Sequence, residues 1–391
     1  MKRGRQIASF FFVIVGFKLN PKFSGKTRNM PEPLKNLYSH ELINTLATEF
    51  KEEYAIFDVQ KFTESVLSNE WDALELKDRM RHIAAVLGKY LPSNYAEAIE
   101  ILLPVSEKFS GLEHMHFPEF IERFGLADFE LSMKALEHLT SGSSSEFAIR
   151  PFIIKFPDDS MKQMAKWSQS KSDHVRRLAS EGCRPRLPWA MALPEFKKDP
   201  AKVLDIILNL LDDDSLYVRR SVANNLNDIS KDNPQLLIDI AKQYLGQSTD
   251  VDWVIKHACR GLLKAGDKNV LPLFGYADAN HVQVQSFKSD SEVVIGDKLN
   301  FEFDLKSNSG VLGKLRLEFV IDFVKANGKK SGKIFKISEG EYDQSTRHVV
   351  KYFSFKPIST RKYYTGEHAI SIVINGNKIA TQTFILNDLL I

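Results

Sequence analysis

The segment Ser172-Asp173-His174-Val175-Arg176-Arg177-Leu178-Ala179 returns as Asp214-Ser215-Leu216-Tyr217-Val218-Arg219-Arg220-Ser221-Val222-Ala223. It returns once more, loosely, as Asp250-Val251-Asp252-Trp253-Val254-Ile255-Lys256-His257-Ala258. Val175 and Val218 stand 43 positions apart, and Val218 and Val254 stand 36 apart. A period near 40 predicts two-helix units of the HEAT-like kind. Such a unit buries its apolar face only against its neighbours, so the units stack into a solenoid. The Asp or Ser ahead of each copy is placed to cap the unit's second helix. Arg176, Arg177, Arg219, Arg220, Lys256 and Arg260 all fall on these second helices. The economical place for those that reach solvent is the concave side of the array.

Outward from the repeats, residues 36–275 read as helical. Apolar residues recur every three or four positions, as in Leu34, Leu37, Leu42, Ile43, Leu46 and Phe50. Breaks are expected at Pro92, Pro104, Pro118, Gly142, Pro157, Pro188, Pro194 and Pro234. After Ala277 the period changes to two. Leu299, Phe301, Phe303 and Leu305 alternate with polar residues, and so do Leu315, Leu317, Phe319 and Ile321. Asn327-Gly328 and Asn375-Gly376 are hairpin turns, and Thr365-Gly366-Glu367 is a further turn. The predicted fold is mainly α: a HEAT-like repeat α-solenoid followed by a C-terminal immunoglobulin-like antiparallel β-sandwich. The expected division is an N-terminal extension at 1–29, the repeat domain at 30–275 and the β-domain at 276–391.

The 391 residues are 43% hydrophobic and 26% charged, an ordinary globular composition. The net charge is only +3, so a nucleic-acid surface must come from local clustering. Cys183 and Cys259 are the two cysteines. They form no disulfide framework and have no zinc-ligand spacing, which fits a reducing, cytoplasmic setting. The ten histidines are scattered without an HExxH pair, so no metal site is expected. No dinucleotide or phosphate-binding glycine motif is present, and no cofactor is expected. Lys2, Arg3 and Arg5 precede an apolar run, Ile7 to Phe17, in the manner of a signal peptide. No clear small-residue cleavage site follows, and the run is too short to span a bilayer. The simpler expectation is a start codon assigned too early, with Met30 as the true beginning.

The densest unusual stretch runs from Glu146 to Trp189. Between Glu146 and Arg186 there are nine Lys/Arg and five Asp/Glu, a local net charge of +4. Such a surface attracts phosphate through counterion release, although charge runs are more often plain solvated faces. Arg177 and Glu181 are one helical turn apart, and on spacing alone they read as a surface ion pair. Arg184-Pro185-Arg186-Leu187-Pro188-Trp189 cannot continue a helix and forms a tight loop. A tryptophan in such a loop is more often a packing anchor than a ligand. Cys183 reads as a small buried thiol at a helix end.

The string Val175 to Trp189, with Glu181-Gly182-Cys183-Arg184-Pro185-Arg186-Leu187-Pro188-Trp189 at its heart, resembles the AlkC branch of the AlkC/AlkD DNA glycosylase superfamily. Glu146-Phe147-Ala148-Ile149-Arg150-Pro151-Phe152 and the opening Pro33-Leu34-Lys35 resemble it too. The likeness spans about residues 30 to 391, the immunoglobulin-like tail included. It implies a monofunctional glycosylase that excises 3-methyladenine and related cationic purines, without base flipping and without a cofactor or metal. It implies Glu146, Glu181 and Trp189 as catalytic positions, and Arg184 and Arg186 as backbone contacts. Arg150, Arg177, Arg219, Arg220 and Lys256 join them as candidate DNA-binding residues, and Lys329 and Lys330 could enter the minor groove. The partner the resemblance implies is double-stranded DNA with alkylated bases, with no membrane involvement and a monomer expected. The competing readings are a non-catalytic DNA-binding repeat protein and a protein-interaction solenoid.

Overall fold

The computed structural model describes residues 33–358 and 361–388, so the N-terminal extension expected at 1–29 lies outside the described residues. Among the described residues the chain forms fifteen α-helices and then eight strands. In order the helices are α1 His40–Glu53, α2 Val59–Val66, α3 Leu76–Tyr90, α4 Tyr95–Glu107, α5 His116–Phe124, α6 Phe129–Leu139, α7 Arg150–Lys155 and α8 Pro157–Trp167. They continue with α9 Asp173–Gly182, α10 Pro194–Lys198, α11 Ala201–Ile207, α12 Leu216–Ile229, α13 Pro234–Tyr244, α14 Thr249–Ala258 and α15 Arg260–Ala265. None is long and apolar enough to cross a membrane.

The three sequence copies are α9, α12 and α14. α12 packs against α9 on one side and α14 on the other. In the first two copies, the first arginine ties its repeat to the next. Arg176 grips Asp213 through Nε and Nη2 at 2.6 and 2.9 Å. One repeat later, Arg219 pairs with Asp250 at 3.0 Å and donates to the Asp213 and Asp214 carbonyls. These arginines are rungs between repeats. Arg219, one of the candidate DNA-binding residues, is buried, with its Nη donors turned to acceptors within the protein.

The expected caps differ in detail. Ser172 and Ser215 precede α9 and α12, but neither side chain caps its helix. Ser215 donates instead to Asp173 at 2.9 Å, another tie between repeats. The third cap is Ser248, whose Oγ accepts from Val251 N–H. Pro104 does not break its helix but sits within the last turn and a half of α4. Packing of Leu102 and Val105 outweighs the lost backbone bond there.

The strands are β1 Val282–Ser289, β2 Glu292–Val294, β3 Lys298–Ser307, β4 Gly313–Val324, β5 Lys330–Tyr342, β6 Thr346–Ser354, β7 Gly366–Ile374 and β8 Asn377–Asn387. They form one sheet of order β1-β3-β6 and a second of order β2-β8-β7-β4-β5. All pairs are antiparallel except the short β2 alongside β8. The alternating residues of β3 and β4 (Leu299, Phe301, Phe303, Leu305, Leu315, Leu317, Ile321) fill the core between the sheets. Asn375 and Gly376 both adopt positive φ, +46° and +83°, as a two-residue type I′ hairpin requires. Thr365-Gly366-Glu367 leads into β7 rather than reversing the chain.

By compactness the described chain divides into two units. One holds the helices up to Asn233 together with Gly246–Ala258. The other holds Pro234–Leu245 and everything from Cys259 onward.

Candidate active site

The site is built by four pieces of the helical unit. These are the turn Ser144–Ile149 before α7, helix α9, the loop Cys183–Leu193 and helix α12. Glu146 and Glu181 are each 1% exposed. Arg177 stands between them, with Nη1 2.7 Å from Glu146 Oε2 and Nη2 3.8 Å from Glu181 Oε1. The Arg177–Glu181 pair predicted for a surface is therefore a buried bridge. Arg177 also lies over the Tyr217 ring, 4.8 Å from its centroid. Ser144 Oγ donates to Glu146 Oε2 at 2.8 Å.

Glu181 is gripped at both oxygens. Arg184 Nη1 donates to Oε1 at 2.5 Å, and Ser221 Oγ donates to Oε2 at 2.6 Å. Arg184 in turn pairs with Asp228 at 2.8–2.9 Å, and Lys231 reaches the other Asp228 oxygen. Burial alone would raise the Glu181 pKa. The nearby Arg184 and Arg177 charges and the Ser221 bond outweigh it and hold the group below the usual carboxylate range. Glu181 is thus a desolvated yet ionised carboxylate. Burial pushes the Tyr217 hydroxyl up to about 12.

Ser221, Asn225 and Asp228 are the residues that sequence reading missed. They sit at i, i+4 and i+7 of α12, one buried polar stripe turned toward α9. A polar stripe at helical spacing, in place of an apolar one, is the signal that could have found them.

Arg150 is fully buried. Its Nη1 donates to the Gly182 and Arg184 carbonyls at 2.9 Å, and its Nε donates to Met191 O at 2.7 Å. It caps the end of α9 and holds the loop from inside, and burial pushes its pKa down to about 10. Of the candidate DNA-binding residues, Arg150, Arg177 and Arg184 are buried, and each bonds to acceptors within the protein. Arg186 is exposed, and it holds Asp232 with two bonds of 2.6 and 2.9 Å. Arg220 and Lys256 are exposed, as are Lys329 and Lys330 in the β4–β5 hairpin. Lys330 pairs with Glu367 at 2.8 Å. Cys183 is buried and donates to Ala179 O, and burial pushes its thiol up to about 12, which disfavours the reactive thiolate.

Trp189 is half-buried. It occupies the third position of the turn Leu187-Pro188-Trp189-Ala190, closed by Ala190 N–H on Leu187 O at 3.3 Å. Its φ is +66°. Type II turns place glycine there, and a bulky residue in the left-handed region costs about 1–2 kcal/mol. Trp189 and Phe147, the neighbour of Glu146, line one small cavity. No cluster of metal-ligating side chains exists among the described residues.

Residues 141–262 match a family described as "DNA alkylation repair enzyme". Residues 283–388 match the C-terminal Ig-like domain of the uncharacterised protein YhaZ. Over 345 residues the chain is 45% identical to the uncharacterised YhaZ of Bacillus subtilis (strain 168), which covers 88% of this chain and 96% of that one. Its fold matches the alkylpurine DNA glycosylase AlkC of Pseudomonas fluorescens, solved on DNA with an abasic site analogue. The TM-score is 0.86 at 31% identity, across 90% of this chain and 99% of that one. Helical repeats, an Ig-like tail and these matches define a protein of the DNA alkylation repair class. Within that class, the chain belongs to the AlkC-type alkylation repair family.

Proposed function

We propose that this protein is a monofunctional DNA glycosylase that hydrolyses the N-glycosidic bond of cationic alkylpurines such as 3-methyladenine, acting on double-stranded DNA as a monomer. The observation that carries the reading is Glu181, buried, ionised, held at both oxygens and linked through Arg177 to a second buried carboxylate, Glu146. Alkylation at N3 or N7 makes the purine a positively charged leaving group, so no acid is needed to protonate it. What remains is an oxocarbenium-like sugar. A fixed carboxylate in a water-poor site stabilises that cation more than it stabilises the ground state. It can also orient or deprotonate the attacking water. The Trp189 ring face adds a cation–π attraction of roughly 0.5–2 kcal/mol. The exposed cations Arg186, Arg220, Lys256, Lys329 and Lys330 are the candidates for phosphate contact, which fixes position without reading sequence. That the structural relative AlkC was solved on DNA supports the choice of partner.

A second reading has its own support. Glu146 and Glu181 are so fully engaged by arginines that the cluster could serve as a structural knot in a non-catalytic DNA-binding protein. Release of 3-methyladenine from alkylated duplex separates the two. The glycosylase reading expects release by the wild type and strong loss in Trp189→Ala. A wild type that binds DNA but releases no base supports the second reading.

A further inference from the structure

Pro188 fixes φ at the second position of the Trp189 turn but imposes nothing on Trp189 itself. A contact to the Trp189 backbone arrives from far away in sequence. Lys77, on α3, donates from Nζ to Trp189 O at 2.7 Å. The same ammonium lies 4.5 Å from the centroid of the Phe147 ring. Phe147 adjoins Glu146, so one cation touches both segments that carry the proposed chemistry. Leu76 and Met80, from the same helix, wall the cavity that Phe147 and Trp189 share. Lys77 is half-buried there, and burial works against its charge, so the carbonyl and the ring face replace lost water.

We propose that Lys77 is a positioning residue for the glycosylase reaction: it pins the Trp189 peptide in its left-handed turn and so sets the indole beside the carboxylate segment. The inference rests on the function proposed above. It differs from the usual role of a lysine in a DNA-binding protein, which is to meet phosphate. Lys77 acts through Trp189, and its loss affects the reaction rather than the grip on DNA.

The test compares full-length wild type with Lys77→Met, Trp189→Gly and the double variant. Single-turnover release of 3-methyladenine is measured alongside Kd for undamaged duplex at several salt concentrations. Lys77→Met is expected to slow release roughly 10- to 100-fold, with Kd and its salt slope unchanged. The double variant is expected to be no slower than Trp189→Gly alone, because glycine takes the left-handed turn unaided. In 5-fluorotryptophan-labelled protein, Lys77→Met is expected to move the Trp189 resonance and leave that of the core residue Trp167 in place. A wild-type rate, an added slowing in the Trp189→Gly background, or a shallower salt slope overturns the proposal. Lys77→Gln, which can still donate to the carbonyl, is expected to keep most of the rate. Equal losses of rate and of melting temperature in both Lys77 variants mark a merely structural residue and also overturn it. If the wild type releases no base, the function fails instead, and the Trp189 resonance still decides the clamp: unmoved in Lys77→Met, it refutes it.

Discussion

Ser221 on α12 donates to Glu181 on α9 over 2.6 Å, so the carboxylate is fixed by the neighbouring repeat as well as by its own helix. The bond favours the ionised form. Ser221→Ala therefore raises the Glu181 pKa. The folded pKa of Glu181 lies below its ordinary value, so its stability contribution is present above about pH 4.5 and is lost as pH falls further. In Ser221→Ala, both acid unfolding and the acid limb of the pH–rate profile should move to higher pH. The unpaired carboxylate oxygen should also cost about 1–3 kcal/mol of stability. Profiles that superimpose on the wild type would show that the bond does not tune Glu181.

Asp228 supports the same carboxylate from one step further back. It neutralises Arg184, which is 4% exposed. Asp228→Asn leaves a buried guanidinium with one partner fewer, and breaking a buried pair costs about 3–5 kcal/mol. The urea midpoint of the helical unit should fall accordingly. A fall below about 1 kcal/mol, the size expected of surface pairs, would mean that water reaches Arg184.

Glu122 titrates near neutrality. Burial, and then the neighbouring Glu119 charge, push it up to about 7. Its folded pKa is raised, so the stability it contributes is full below about pH 4.5 and is lost as pH rises through about 7. Glu122→Gln removes that loss. The variant should melt higher than the wild type at pH 8 and gain little at pH 5. Equal gains at both pH values would show that Glu122 is not the titrating group.

How much of this was legible in the sequence follows from what fixes each feature. The β3 alternation and the Asn375-Gly376 hairpin are local, because a period of two and a pair of positive φ values need no tertiary knowledge. The register of Val175 and Val218 gave away the repeat. It could not say that Arg176 and Arg219 turn to the next repeat while Arg177 turns inward. That choice depends on Asp213 and Glu146, which lie far off in sequence. The burial of Arg177 and Arg184 was not legible, because a charge run looks the same whether it faces solvent or the buried carboxylates Glu146, Glu181 and Asp228. Lys77 was invisible for the same reason, since its partner Trp189 lies 112 positions away.

Lys329 and Lys330 offer exposed charge in the β4–β5 hairpin, with Lys330 partly occupied by Glu367. If they meet phosphate, Lys329→Glu with Lys330→Glu should weaken DNA binding and reduce the slope of log K against log salt by roughly 1 to 2. An unchanged slope would place the β-domain away from the DNA backbone.

The proposed role of Glu181, buried and ionised, is to stabilise the sugar cation left behind as the base departs. Single-turnover release of 3-methyladenine by Glu181→Gln, at saturating protein on alkylated duplex, tests it most directly. The expected result is a loss of about 10²- to 10³-fold with DNA affinity retained. Release at the wild-type rate would contradict the account.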